Sequence, residues 1–218
     1  VNIFFRDSFN KSEKDYYIIL NHSPSIKTFE VGDKVRIGFD GLVLRVIENN
    51  LNGLIRCIVE SSGNILVNKA IDIIGKELDL EILTELDKFA IQIMRERGFN
   101  NLYASFISKP EHVQYIRKFA GNDIKIISKI ETERGVYNFD QIANISDEIL
   151  IDRGDLSREI PIELIPICVY DIIDKCNKIG KPIHVATNVL DSMMISKLPS
   201  RAEISDIYNL INRGISGF

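Results

Sequence analysis

Residues 124–161 read IKIISKIETERGVYNFDQIANISDEILIDRGDLSREIP, and this stretch decides the fold. Two apolar runs, at residues 124–127 and 148–151, are typical of buried strands. The segment between them contains a helical pattern near residues 138–142. Parallel strands need such a helical crossover between them. The stretch therefore predicts two strands of a parallel sheet.

The same alternation continues on both sides, from about residue 78 onward. Apolar spacing predicts helices over residues 82–97, around 111–119 and over about 162–179, and further strands over residues 102–106 and 183–187. Strand–helix repetition favours a parallel sheet covered on both faces. It does not separate a (β/α)₈ barrel from an open doubly wound sheet.

The residues before this region have a different pattern, with short alternating apolar runs and turn residues from about residue 16 to residue 69. This pattern is typical of a small antiparallel β domain. The predicted strands cover residues 17–20, 34–39, 42–47, 53–59 and 65–67. We therefore predict a small β domain over residues 1–72 and an α/β domain over residues 73–218.

Composition excludes several classes of protein. The 218 residues are 45% hydrophobic, enough for one large core, or one core and a small satellite domain. A net charge of −4 without a basic run argues against a nucleic-acid partner. No apolar run approaches the roughly 18 residues that span a bilayer, and three cysteines without metal-ligand spacing fit a reducing compartment. These features predict a cytoplasmic protein with no membrane partner.

Charged residues follow the two central strands. Side chains alternate along a strand, so Lys129 and Glu131 are expected on the same face, and Asp155 follows the next strand. Carboxylates are ligands for Mg²⁺, and a lysine can neutralise a phosphate or enolate oxygen. The same pattern also fits a structural Lys–Glu ion pair, and the spacing leaves both interpretations open.

This stretch resembles the core of the pyruvate kinase family, which reads ISKIEN, GV..FDEI and ARGDLG.EIP in this order. Further resemblances occur in the same order as in that family, at residues 32–35, 40–42, 104–107, 180–188, 190–193 and 200–206. The resemblance implies a partial (β/α)₈ TIM barrel with an inserted small antiparallel β-barrel lid domain. The chain is then either a fragment or a divergent member, because the earlier barrel strands have no counterpart.

The resemblance also implies site residues. Glu131 and Asp155 would ligate Mg²⁺ or Mn²⁺, and Lys129 would stabilise charge on the transferring phosphoryl group. Backbone N–H groups of Gly154 and Asp155 would hold the substrate carboxylate, with Arg153 orienting their loop. Four candidates, Lys129, Glu131, Asp155 and Thr187, are expected at the C-terminal ends of strands, the catalytic face of a (β/α)₈ barrel.

Three further positions complete the implied site. Thr187 would contact the substrate and belong to the proton-transfer route to the enolate, although it also fits a β-branched residue that ends a strand. Lys69 would meet nucleotide phosphates, although a solvated surface lysine fits equally well. Asp40 matches one acidic residue of the family's lid and Arg6 matches an arginine near the lid crossover.

The implied activity is that of a glycolytic pyruvate kinase, which converts phosphoenolpyruvate and ADP to pyruvate and ATP. The resemblance implies a homo-oligomer at full length, with any K⁺ bound through segments absent here. Two alternatives stay open: a metal-dependent aldolase or lyase acting on pyruvate enolate, and a non-catalytic oxyacid-binding relative. Ile130-Glu131-Thr132 favours the first alternative, whereas Phe39 and Ser157, which replace an acidic residue and a glycine, favour the second.

One departure from the family lies beside the predicted metal site. Asp152 stands where the family usually has alanine before the arginine. An additional carboxylate at this position is expected to change the affinity for an anionic substrate.

Overall fold

The computed structural model describes residues 2–5, 17–20, 28–38, 41–50, 53–65, 69–76 and 80–218. The chain forms two compact units, residues 1–81 and residues 82–218. The sequence analysis put the boundary after residue 72, but a strand over residues 71–73 pairs within the first unit. The boundary between the two compact units lies after residue 81, nine residues beyond the predicted boundary after residue 72.

The described residues of the first unit form one six-stranded sheet. Its strands are β1 (Asn2–Phe5), β2 (Tyr17–Leu20), β3 (Lys34–Ile37), β4 (Leu42–Asn49), β5 (Leu54–Ser61) and β6 (Ile71–Ile73). The strand order is β2-β1-β5-β4-β3-β6, and every neighbouring pair is antiparallel except β1 and β2, which are parallel. Residues 42–46 of β4 alternate between buried and half-buried because one face packs on the core of this unit.

Four of the five strands predicted in this unit are present, as β2, β3, β4 and β5. In the predicted strand at residues 65–67, Ile65 is outside any strand and the other two positions are outside the described residues. Strands β1 and β6 were missed. β6 is only three residues long, too short to establish a period of two, and the partners of both strands are distant in sequence.

The second unit alternates strands and helices. Its strands are β7 (Asn101–Ala104), β8 (Lys125–Ile130), β9 (Glu148–Asp152) and β10 (Ile183–Ala186). Its helices are α1 (Glu85–Glu96), α2 (Pro110–Ala120), α3 (Glu133–Tyr137), α4 (Phe139–Ile145), α5 (Arg153–Leu156), α6 (Ile165–Lys178) and α7 (Arg201–Asn212). Capping boxes begin α1 at Thr84 and α7 at Ser200, which satisfies backbone N–H groups that helices leave unpaired.

The four strands of this unit are parallel and lie side by side in chain order, β7-β8-β9-β10. A short parallel bridge between His184 and Gly217 continues the series beyond β10. A doubly wound sheet reverses its strand order at a switch point, and no reversal occurs among these strands. Consecutive order is the arrangement expected for part of a (β/α)₈ barrel.

The core of the second unit lies between these strands and their covering helices. Residues 126–128 of β8 are all buried, as expected for a central parallel strand with both faces covered. Helices α2, α4 and α6 contribute Ile116, Ile142 and Ile172 to the same cluster. Among the described residues, none of the helices has both the length and the apolar character that crossing a membrane requires.

Gly135 in α3 allows a close approach that a side chain would prevent. A Cβ at this position would lie 2.7 Å from the Ile107 carbonyl oxygen and 3.1 Å from Thr132 Oγ1. In a helix, alanine is more stable than glycine by about 0.5–1 kcal/mol. At residue 135, however, the added methyl group would overlap a backbone oxygen, and overpacking of this kind costs about 1–3 kcal/mol. We therefore expect Gly135→Ala to lower the free energy of unfolding in urea. An equal or higher stability would show that the loop after β7 shifts freely.

Candidate active site

Residues from three neighbouring strands meet at their C-terminal ends. Ile130 of β8 lies opposite Ile151 of β9, so Glu131 comes to lie beside Asp152. Asp152 in turn lies opposite Ala186 of β10, the residue before Thr187. The parallel register therefore brings the ends of β8, β9 and β10 together, and α5 begins directly after β9.

Three carboxylates and one ammonium group form the centre of the site. Glu131, Asp152 and Asp155 each offer a carboxylate oxygen, and these oxygens lie within 4.8 Å of one another. The Nζ atom of Lys129 lies 2.8 Å from Glu131 Oε2 and 3.1 Å from Asp152 Oδ2. The predicted Lys129–Glu131 ion pair is therefore present, and it is part of a larger cluster of charges.

The Glu131 side chain is held rigidly and is 1% exposed. Its Oε1 atom accepts a hydrogen bond of 2.6 Å from the backbone N–H of Phe106, in the loop that follows β7. Its buried Oε2 atom pairs with Lys129 without the angles of a hydrogen bond, and it accepts no hydrogen bond from any residue that the structure describes. A buried oxygen with acceptor capacity to spare, next to two other carboxylates, fits a ligand of a hard divalent cation.

The charges of the cluster change the pKa values of its members. Burial raises the pKa of Glu131, although the Lys129 ammonium and the Phe106 N–H counteract this rise. Burial alone would lower the pKa of Lys129, but its contacts with Glu131 and Asp152 outweigh that effect and raise the pKa. Lys129 is therefore a permanent cation at neutral pH, as an electrostatic role requires.

Thr187 lies in a strained loop after β10. Its φ angle is +67° and that of Asn188 is +52°, in the left-handed region. A β-branched residue is a genuine outlier there, and such strain costs about 1–3 kcal/mol and concentrates at functional sites. The Thr187 hydroxyl oxygen accepts a hydrogen bond of 2.8 Å from Gly154 N–H and lies 3.2 Å from Asp152 Oδ1.

Arg153 holds this loop in place. Its guanidinium group donates hydrogen bonds to the carbonyl oxygens of Thr187 (2.8 Å) and Asn188 (3.0 Å) and pairs with Asp206 at 2.7 Å. The planar guanidinium group has several N–H donors in fixed directions, so it can bond these three acceptors at the same time. The loop that Arg153 contacts is therefore the one after β10 and not the Gly154–Asp155 loop that the sequence analysis expected it to orient. A role of Arg153 in orienting the Gly154–Asp155 loop or in binding substrate stays a prediction.

The backbone donors expected for a substrate carboxylate already have internal partners. Gly154 N–H donates to Thr187 Oγ1, and Asp155 N–H points at Asp152 Oδ1 over 3.5 Å. A Cβ at Gly154 would make van der Waals contact, at 3.4 Å, with both Asp152 Oδ1 and Thr187 Oγ1. The loop therefore packs tightly around the Asp152 carboxylate.

Sequence reasoning missed parts of the cluster. Asp152 was identified only as a departure from the family, whereas the structure places it in the centre, 8% exposed. Arg158 pairs with Asp155 at 3.4 Å, and its spacing of three residues on a helical turn was a signal that could have found it. Asp206, on α7, pairs with Arg153 from 53 positions away, and no local signal indicates it.

Other predicted residues belong to the first unit. The aliphatic part of the Lys69 side chain lies next to Gly38. A Cβ added to Gly38 would lie 3.7 Å from Lys69 Cγ. A role for Lys69 toward a nucleotide stays a prediction. Asp40, Phe39 and Arg6 lie outside the described residues.

Comparison with known families gives one consistent result. A family model described as the barrel domain of pyruvate kinase matches residues 1–217. A crystal structure of a pyruvate kinase from Cryptosporidium parvum superposes with a TM-score of 0.83 at 31% identity, covering 100% of this chain and 46% of that one. These matches confirm the predicted fold class.

Curated relatives agree with this result. A pyruvate kinase from Clostridium acetobutylicum is 38% identical over 199 residues, and one from Leishmania mexicana is 35% identical over 208 residues. These alignments cover 89% and 94% of this chain, respectively, and 42% of each relative. The chain thus spans less than half the length of the relatives it matches.

Proposed function

The chain belongs to the pyruvate kinase family, and on that premise we propose that it carries the metal and oxyacid site of a pyruvate kinase. The reaction is phosphoryl transfer between phosphoenolpyruvate and ADP, performed by the full-length polypeptide. One observation carries the proposal. Lys129 and the carboxylates of Glu131 and Asp155 are gathered at the C-terminal ends of parallel strands, the catalytic face of this fold.

Glu131 and Asp155 are the residues that would hold a divalent cation. The spare acceptor capacity of Glu131 Oε2 and the hard oxygen donors of the cluster fit Mg²⁺ or Mn²⁺. A bound cation of this kind supplies Lewis-acid stabilisation of negative oxygen atoms. Because the N–H of Phe106 holds the Glu131 side chain in place, the ligand oxygen is oriented before a cation binds.

Lys129 provides the fixed positive charge. Phosphoryl transfer spreads negative charge over the transferring oxygens, and catalysis depends mainly on positioning and electrostatic stabilisation. The raised pKa of Lys129 keeps its ammonium group protonated, and the side chain is only 20% exposed, so the charge acts in a partly water-excluded site. Lys129 therefore stabilises developing charge without giving up its proton.

The loop after β9 and Thr187 position the oxyacid. The backbone N–H of Gly154 donates to the Thr187 hydroxyl oxygen, and both that hydroxyl and the Asp155 N–H point at Asp152 Oδ1. Exchange of these internal contacts for contacts to the substrate would place its carboxylate beside the cation ligands. Thr187 then lies where it can hold or pass on a proton at its hydroxyl oxygen.

Pyruvate formation from phosphoenolpyruvate and ADP tests the proposal. The full-length natural polypeptide that carries this sequence is assayed with Mg²⁺, with Mn²⁺, and after chelation. We expect turnover that requires the divalent cation and is abolished by chelation. Absence of turnover in a well-folded protein would contradict the proposed pyruvate kinase activity.

The same preparation separates the alternatives. Cation-dependent release of pyruvate from an aldol substrate without ADP would indicate an aldolase or lyase. Binding of oxyacid without either reaction would indicate a non-catalytic relative. We expect neither of these two results.

A further inference from the structure

Asp152 is a charged residue that lies inside the proposed substrate site, at a position where the resemblance to the family implied alanine. It is 8% exposed and forms the last residue of β9. Burial of a carboxylate costs free energy unless it is paired and hydrogen-bonded. The partners of Asp152 therefore show what this residue does in the site.

Each partner of Asp152 is a group that the proposed function assigns to the substrate. Lys129 Nζ, expected to neutralise the phosphoryl group, lies 3.1 Å from Oδ2. The Thr187 hydroxyl, expected to contact the oxyacid, lies 3.2 Å from Oδ1. The N–H of Asp155, expected to hold the substrate carboxylate, points at the same Oδ1 over 3.5 Å.

The charge count of the site points in the same direction. Three carboxylates, Glu131, Asp152 and Asp155, are balanced by two cations, Lys129 and Arg158. Arg153 is already paired with Asp206. Before a divalent cation binds, the site therefore has one uncompensated negative charge. A bound Mg²⁺ would add two positive charges, and the Asp152 carboxylate would then offset part of the positive charge that attracts an anionic oxyacid.

We propose that Asp152 is an internal anion that competes with the oxyacid for Lys129, Thr187 and the Asp155 N–H, and so weakens the affinity of this site for anionic substrates. This inference rests on the proposed function of the same site. Asp152 acts here as a specificity-determining residue. Its replacement by alanine removes one negative charge from the site and one acceptor from each of the three donors. Lys129 then keeps its contact with Glu131. The Thr187 hydroxyl keeps its contact with the Ala186 carbonyl oxygen.

Calorimetric titration with oxalate tests this inference. Oxalate is a planar dianion whose adjacent oxygens resemble the carboxylate and enolate oxygen of the substrate. The full-length polypeptide is titrated at saturating Mg²⁺, as wild type and as Asp152→Ala. We expect oxalate to bind the variant at least about tenfold more tightly, because the Asp152 carboxylate no longer opposes it.

Three further variants serve as controls. Asp152→Asn removes the charge but keeps an oxygen acceptor for Thr187 and Asp155, so it is expected to bind oxalate more tightly than wild type even if the alanine variant folds poorly.

Glu148→Gln removes the same charge from the other end of β9, where Glu148 pairs with Lys125 and His184. That end is about 13 Å away at 3.3 Å per residue, beyond the screening length, so its oxalate affinity is expected to stay unchanged. Glu131→Gln is expected to weaken oxalate binding through loss of the cation.

The outcomes separate this inference from the proposed function. Unchanged or weaker oxalate binding in both Asp152 variants, together with weaker binding in Glu131→Gln, would overturn the role of Asp152 and leave the proposed site intact. No oxalate binding in any protein of the set would overturn the proposed function, and this inference with it. Tighter binding in Glu148→Gln as well would also overturn it, since the effect would then be one of net charge.

Discussion

Replacement of Lys129 by methionine is expected to lower kcat for pyruvate formation by about three orders of magnitude. Removal of a single preorganised charge-stabilising group typically costs about 10²–10³ in rate, and a cation on a transferring phosphoryl group is worth about 10³–10⁵. Methionine keeps the length and apolar stem of lysine but has no charge. Because Lys129 contacts both Glu131 and Asp152, its loss also leaves two buried carboxylates without their shared cation.

This second effect has to be separated from the first. A broken buried ion pair costs about 3–5 kcal/mol, and the partial exposure of the Lys129 side chain, 20%, reduces that figure. Rates are therefore compared at a temperature at which circular dichroism shows the variant to be folded. Lys125→Met is the matched control, because Lys125 lies at the other end of β8 and pairs with Glu148 at 2.7 Å. We expect wild-type kcat in that control, and a Lys129→Met variant that retains more than a tenth of kcat would refute the assigned role.

The sequence predicted the second unit well because its signals are local. Each strand of β7–β10 is a short, mainly apolar segment between helices, and short helical crossovers indicate parallel strands. The consecutive order of the four strands was implied by the family resemblance and not by the strand–helix pattern alone. The position of Lys129 and Glu131 follows from strand alternation alone. The first unit was harder, since β1 pairs with β2 and β5, and no local pattern shows this.

The centre of the site depends on register, which the sequence does not display. Asp152 could be identified as a member of the cluster only once Ile130 was known to lie opposite Ile151. The left-handed conformations of Phe106 and Thr187 have no sequence signal either, because neither is a residue type that favours this region, whereas asparagine, as at Asn188, adopts it more readily. Tertiary contacts impose these conformations, and the contacts of Arg153 are a clear example.

Replacement of Arg153 by lysine is expected to release the strained loop after β10. The guanidinium group bonds two loop carbonyls and Asp206 at once, and a single ammonium nitrogen cannot reach all three. Without this clamp, the left-handed conformations of Thr187 and Asn188 can relax, which moves the Thr187 hydroxyl away from Gly154. We expect a loss of about 2 kcal/mol in the free energy of unfolding, as for a hydrogen bond to a charged group. We also expect kcat to fall by about 10- to 100-fold, because small displacements of positioning groups are costly.

Hydrogen exchange distinguishes loop release from general destabilisation. If Arg153 clamps the loop, the amides of residues 186–189 exchange faster in Arg153→Lys than in wild type. The exchange rates of the β8 amides are then expected to change only as much as the change in global stability requires. Arg213→Lys is the control, because Arg213 pairs with Asp174 and stacks on Tyr170 at an exposed position away from the loop. Exposed pairs contribute at most about 1 kcal/mol, so this control is expected to keep wild-type kcat and wild-type exchange at residues 186–189. Equal exchange of these amides in wild type and Arg153→Lys would mean that the strained conformation is held by packing, and that Arg153 does not position Thr187.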